Sequence, residues 1–409
     1  MKSNTRDMTV RPSDYPKERI RLGVWAFFLM QGLCFSTWAS RIPDIMAVFA
    51  ADDVAFWSWM LFLIPAGKFV ALPLAGWLVS RLGSRTLVQI SIAGYAAALF
   101  AIGLATDVYV LGGSLFGFGV CWNLCDISLN TQGIGIERMT GRPVMAKFHG
   151  GWSLAACGGA LLGFLMIVRG VSPFVHFSLV AAVIVLGMLS LRKYLQEDAE
   201  PAPAREDGKA APALTGFIRK PEWLLIELGV VSLFALIVES AMFDWSGVYF
   251  KSVIQAPDSL QIGFLVFMVM VTAGRFLTGY AQDRLGKRGV LQLAGLLIFA
   301  GFFISAVPGG LMTSMTGKVT VISLGFMLVG LGISSMVPTV YSLVGAKSAT
   351  PVGIALTVLS SIAFVGSLIA PLLIGLVSRT FSLQYAYMLV GLLGLCILLM
   401  TTFRRAFKN

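Results

Sequence analysis

The chain has 409 residues, 57% hydrophobic and only 12% charged, with a mean hydropathy of +0.83. A water-soluble domain carries about 25% charged residues, so this composition excludes a soluble globular enzyme and points to a bilayer. The net charge of +11 would suit nucleic acid, but the Lys and Arg alternate between connecting segments, the pattern that sets membrane orientation, so no nucleic-acid partner is expected.

Apolar runs of about 20 residues, the length that crosses the hydrocarbon core, recur twelve times. They lie at about 22–40, 56–79, 87–105, 109–134, 147–168, 173–192, 223–243, 260–281, 289–307, 319–345, 352–376 and 385–403. The polar stretch before the first run has no apolar core, so no removable signal peptide is expected. If the amino terminus is cytoplasmic, 24 of the 31 Lys and Arg fall on that side and five (Arg41, Arg169, Lys251, Lys318, Arg379) on the other. That asymmetry places both termini in the cytoplasm. The five cysteines all lie within runs and read as packing residues; no metal site and no cofactor are expected.

The one long polar interruption, 193–220, is rich in Pro, Ala and charge and reads as a linker. It divides the chain into 1–192 and 221–409, each with six runs. The halves repeat a motif: Gly76-Trp-Leu-Val-Ser80-Arg81-Leu-Gly83-Ser-Arg85 and Gly279-Tyr-Ala-Gln-Asp283-Arg284-Leu-Gly286-Lys-Arg288. Gly117-Phe-Gly119 and Gly330-Leu-Gly332 form a second echo. The fold expected is all-α: twelve transmembrane helices in two pseudo-symmetric six-helix bundles.

The repeated loop resembles the signature Gly-x-x-x-Asp-Arg-x-Gly-x-[Lys/Arg] of the major facilitator superfamily; the second copy fits it fully, while Ser80 holds the acidic position in the first. Two stretches, Asp126-Ile-Ser-Leu-Asn130-Thr-Gln132 through His149-Gly150 and Glu239-Ser-Ala-Met-Phe-Asp244-Trp245-Ser246, resemble a bacterial subgroup of that superfamily and, more distantly, fucose-permease-like proteins. The resemblance implies a multi-pass protein of the bacterial inner membrane with spans one, four, seven and ten around a central cavity. It also implies a gating latch at Asp283, Arg284 and Arg288, with Arg81 and Arg85 as its counterpart. The bland alternative is a short basic turn that only sets topology.

A charge at membrane depth costs about 2.5–3.5 kcal/mol or more, so each one needs a partner, water or a function. Asp126 is central in span four, with Asn123 and Asn130 on its stripe, and Glu239 lies in span seven beside Ser232 and Ala235. With Lys68 of span two and His149 at the start of span five, these acids are candidates for proton coupling or solute binding; the rival reading is a fixed structural pair. Gln31, Trp38, Asn123, Asn130 and Trp152 are candidate solute contacts, since rings beside amides suit a ligand with apolar faces and hydroxyls. Arg275 is expected to snorkel to the interface, Glu227 and Asp244 to be solvated at span ends, Arg41 to cap the outer vestibule or pair with Asp44, and Trp57, Trp59 and Trp245 to sit in interfacial belts.

Drug antiporters of the superfamily carry an Arg upstream of Gly-x-Gly in span four, where Gly113 stands here, and a Pro in span five, where Phe164 stands. Both departures favour uptake over efflux. The expectation is a monomeric, non-enzymatic secondary transporter in the lipid bilayer, taking up a small polar, sugar-like solute with protons; a drug/proton antiporter and a non-transporting sensor are the alternatives.

Overall fold

Helices start where a short polar side chain can satisfy the free N–H groups of a first turn. Asp53 accepts from the Ala55 N–H at 2.8 Å, Asp107 from Tyr109 and Val110 at 2.9 Å each, and Ser314 from Gly317 at 3.1 Å. The structure is a computed structural model that describes residues 15–49, 53–142, 144–197, 222–350, 352–404 and 407, with backbone alone at 352–354. Most of the 193–220 linker, from 198 on, lies outside the described residues.

Six helices precede that gap: α1 Lys17–Ser40, α2 Val54–Leu82, α3 Ser84–Leu104, α4 Val108–Thr140, α5 Met145–Val168 and α6 Pro173–Leu191. α7 Trp223–Val248 follows it. The next helical segment, Gly263–Ala306, has 44 residues and breaks at Gly286 (φ 70°, ψ 166°). At 1.5 Å per residue it is about 66 Å long, two bilayer crossings, so it forms α8 (263–285) and α9 (287–306). α10 runs Met315–Ser334 and continues as Met336–Lys347; α11 is Val352–Thr380 and α12 Leu383–Phe403. The described residues thus hold twelve passes and no strand.

The two sets of six pack alike. α1 lies on α5 and α2 on α4, as α7 lies on α11 and α8 on α10; α3 and α6 are paired, as are α9 and α12. Small residues bring these backbones together. A Cβ on Gly119 would sit 2.0 Å from the Ile64 carbonyl oxygen, and one on Gly366 2.4 Å from that of Leu233. Gly83, which closes α2, repeats the backbone of Gly286, with φ 79° and ψ 155°. Apolar side chains elsewhere point outward: Leu179, Val183, Leu186 and Leu189 of α6 are all exposed, as a lipid-facing stripe must be.

The halves meet along α2 with α11 and along α5 with α8. At the end remote from the termini, Lys251 Nζ stands 2.8 Å from Asp44 Oδ1 and ties them together. Arg41 pairs with the same carboxylate at 2.6 Å and donates to the Val171 carbonyl at 2.7 Å. Trp57 and Trp245, expected in interfacial belts, are instead fully buried, because their helix faces turn toward neighbouring helices; Trp59 is exposed.

Candidate functional site

The charged residues of the spans converge at mid-depth on an aromatic floor. Phe35 of α1 is its centre, with ring centroids 4.7 Å from Trp122 (α4), 5.7 Å from Trp152 (α5) and 4.8 Å from Phe243 (α7). Each tryptophan carries a cation. Lys68 Nζ lies 3.7 Å from the Trp122 centroid and 5.8 Å from that of Phe364 in α11. The Arg275 guanidinium lies 5.7 Å from Trp152. Ring faces are electron-rich, so they supply part of the charge compensation that membrane burial removes.

Acids complete the compensation. Arg275 Nη2 is 3.6 Å from Glu239 Oε1, and the same guanidinium hydrogen-bonds the Ser153 hydroxyl of α5. Thr272 donates to the Ser153 carbonyl at 3.1 Å, so α8 is stitched to α5 across the seam. Asn130 Nδ2 donates to Asp126 Oδ2 at 3.3 Å, as their four-residue spacing on one helix allows. Lys68 lies in the fields of Asp126, Glu239 and Asp244, and His149 in those of Asp126 and Arg275. A cavity of about 50 Å³ beside Lys68 and Asp244 is walled by Phe35, Trp122 and Phe243.

Of the residues singled out from sequence, Lys68, Asp126, Asn130, His149, Trp152 and Glu239 come together here. Trp38 packs on Phe118 at 6.3 Å in the α1–α4 core, and Gln31 is fully buried one turn before Phe35 on α1, its amide unpaired among the described residues. Asn123 is likewise buried, at 6% exposure.

Two expectations are corrected. Arg275 does not run out to the helix end: α8 continues ten residues beyond it, about 15 Å of helix, and its guanidinium turns instead to Glu239 and Ser153. Asp244 is not a solvated end, because α7 continues past it to Val248 and its carboxylate lines the small cavity. The signal for both was in the sequence, as charges inside apolar runs, but their depth depended on helix ends that hydropathy locates poorly.

The loop residues hold their own halves. Arg288 donates to the carbonyls of Thr401 and Thr402 at 2.9 and 2.6 Å, Arg284 stacks on Tyr280, and Arg85 is 3.9 Å from Glu197. Arg81 stacks on Trp77, and Asp283 is exposed with no ion pair among the described residues. Among the described residues no ion pair joins these two loops at the terminus end, while the far end is bridged by Asp44 and Lys251. Thr131 and Tyr341, toward the terminus ends of α4 and α10, are exposed.

Comparison with known proteins agrees with this architecture. The chain is 28% identical over 371 residues to an uncharacterized transporter, y4wD, of Sinorhizobium fredii, covering 90% of this chain and 94% of that protein. It is 24% identical to the membrane protein MosC of Rhizobium meliloti over 93% of this chain and 89% of that one. Among solved structures, the nucleoside transporter NupG superposes with a TM-score of 0.75 at 12% identity, covering 95% of this chain and 99% of that one. A bacterial homologue of the human lysosomal transporter Spinster, inward-facing and unoccupied, superposes with a TM-score of 0.66 at 15% identity over 96% of each. The family model of the Major Facilitator Superfamily matches residues 24–354. A multi-pass, twelve-helix chain that matches this model over most of its length is a transporter and not an enzyme, and it belongs to the Major Facilitator Superfamily.

Proposed function

We propose that this transporter takes up a small polar organic solute together with protons by alternating access. The observation that carries the reading is the junction at Arg275, where one guanidinium meets Glu239 of its own half and Ser153 of the other. Protonating Glu239 removes the counter-ion of Arg275, which together with Thr272 stitches α8 to α5. A proton there would change the seam between the halves and the floor on which solute rests in one step. Asp126, held by Asn130 and facing Lys68, is the matching acid of the first half.

The solute class follows from the lining. Tryptophan faces and Phe35 take a flat or apolar face, while Asn130, Asp126 and the cations take hydroxyls. A structural neighbour is named a nucleoside transporter, and a nucleoside joins hydroxyls to a flat base. A sugar-like or nucleoside-like solute fits the same chemistry, bound at Lys68, Asp126, Asn130, His149, Trp152 and Glu239. Trp38 packs on Phe118, and Gln31 and Asn123 are buried in the present conformation, so solute contact with these three would need the other state.

The charge asymmetry between connecting segments supports cytoplasmic termini and insertion in a bacterial inner membrane. The cavity then faces the cytoplasm. Halves ending near 192 and beginning near 221, joined by a linker, would rock as bodies in a monomer, with the Asp283–Arg288 and Arg81–Arg85 loops closing against each other in the opposite state. The test is uptake of labelled nucleosides and sugars into proteoliposomes with an imposed inward proton gradient. Accumulation that collapses with the gradient, and in Glu239→Gln, is expected; uptake indifferent to both would sink the coupling claim.

A further inference from the structure

A groove of about 540 Å³ runs along the outside of α5 at the terminus end, bounded by Arg21 and Trp25 of α1, Lys147 and Leu154 of α5, and Phe276 of α8. Arg275 is the one residue it shares with the central site described above. In a helix of 100° per residue, Lys147, Gly150 and Leu154 stand on one face, while His149 and Trp152, which meet the central charges and the aromatic floor, stand on another. The stripe of Leu154 continues through Leu161, Leu165 and Val168, all exposed apolar residues, so this face looks into lipid.

Its chemistry is graded with depth. Arg21 and Lys147 lie within the first turns of α1 and α5, at the level of headgroups, and Arg142 is close enough to act on the same carboxylate, Glu18, as they do. Glu18 takes an ion pair with Arg21, and Glu137 accepts from the N–H groups of Val144 and Met145 at the start of α5; against these two acids stand Arg21, Arg142 and Lys147, so the described rim keeps a net positive charge. Below the rim the walls are apolar apart from Arg275: Leu22, Leu154 and Phe276 are 49%, 54% and 69% exposed. The floor is Gly150 and Gly151; Gly151 abuts the Trp25 ring, and a Cβ on Gly150 would meet only Phe276, at 3.9 Å.

We propose that this groove binds an anionic phospholipid of the terminus-side leaflet, its phosphate between Arg21 and Lys147 and an acyl chain along Leu22, Leu154 and Phe276. A cationic rim above an apolar trough is complementary to that molecule and to no soluble anion. The volume is that of an ordinary ligand site. Phe276 and Arg275 both line the groove, so the lipid would rest on the α5–α8 seam that opens and closes during transport.

The test uses the full-length protein in a non-ionic detergent, titrated with dioleoylphosphatidylglycerol, with dioleoylphosphatidylcholine and with inorganic phosphate, with binding read by native mass spectrometry. Wild type is expected to prefer phosphatidylglycerol. The Arg21→Ala/Lys147→Ala pair is expected to lose about fivefold of that affinity per cation and to leave phosphatidylcholine unchanged. Gly150→Leu fills the floor and is expected to weaken both lipids. The proposal is overturned if the double alanine variant keeps its preference for phosphatidylglycerol, if Gly150→Leu changes neither lipid, or if free phosphate displaces phosphatidylglycerol at equal concentration.

Discussion

Arg275 and Glu239 form an ion pair of 3.6 Å beside the aromatic floor, and Arg275 donates from Nη1 to the Ser153 hydroxyl of the opposite half. Removing one partner leaves the other charge uncompensated in a membrane interior, which costs more than removing both. Because both groups keep some exposure to the cavity, Glu239→Gln and Arg275→Gln are each expected to cost about 1–3 kcal/mol in thermal unfolding, against less for the double variant. Gradient-driven uptake should fail in all three, while solute exchange across a symmetric membrane should survive in the double variant alone.

Lys251 and Asp44 close the end remote from the termini with a contact of 2.8 Å. The pair is partly exposed, so its worth is at most about 1 kcal/mol. Lys251→Ala is therefore expected to raise the accessibility of a cysteine placed at Pro43 to an impermeant maleimide by up to about fivefold. Asp44→Asn should be the harsher change, since it also strands the buried guanidinium of Arg41.

Lys68 sits 3.7 Å above the Trp122 ring among three carboxylates. Trp122→Leu removes a cation–π contact worth about 2 kcal/mol in a desolvated site along with a stacking face, so solute affinity should fall by ten- to thirtyfold. Lys68→Arg should keep more binding than Lys68→Met. Isothermal titration of each purified variant reads the difference; equal affinities for the Arg and Met variants would remove Lys68 from the site.

Gly83 and Gly286 share a backbone conformation, φ 79° and 70°, that side chains strain to adopt. A Cβ on Gly286 would meet nothing within 4 Å, so its whole cost is conformational. Gly286→Ala should cost about 1–3 kcal/mol by thermal denaturation, and Gly286→Asn about as much, because at ψ 166° the backbone lies outside the left-handed helical basin that Asn tolerates.

Glu222, outside the spans, caps the α10–α11 connection: it accepts from Thr350 Oγ1 at 2.7 Å, Ser348 Oγ at 3.0 Å, and the N–H groups of Ala349 and Thr350 at 3.2 Å each. Burial alone would raise its pKa, but these donors outweigh it and hold the carboxyl below its ordinary 4.5. A depressed folded-state pKa stabilises above the unfolded value and is lost as pH falls through the folded one. The melting temperature of wild type should therefore exceed that of Glu222→Gln at pH 7, and the gap should close below pH 4.5.

Twelve apolar runs, the alternation of Lys and Arg, and the Gly76–Arg85 and Gly279–Arg288 repeat were all legible without coordinates, because hydropathy, length and turn chemistry act locally along the chain. Locality also explains why Asp126 with Asn130 could be read as one stripe: both lie on a single helix, four residues apart. Depth and facing were not local. Arg275 and Asp244 looked like residues near span ends, and only the extent of α8 and α7 put them at the centre; Trp38 and Gln31 had the right spacing for a cavity, and only the packing of α1 on α4 and α5 buried them. Which charge meets which is decided by the lateral arrangement of twelve helices, since in a membrane every helix is stable by its own hydrogen bonds and its apolar length records nothing of its neighbours.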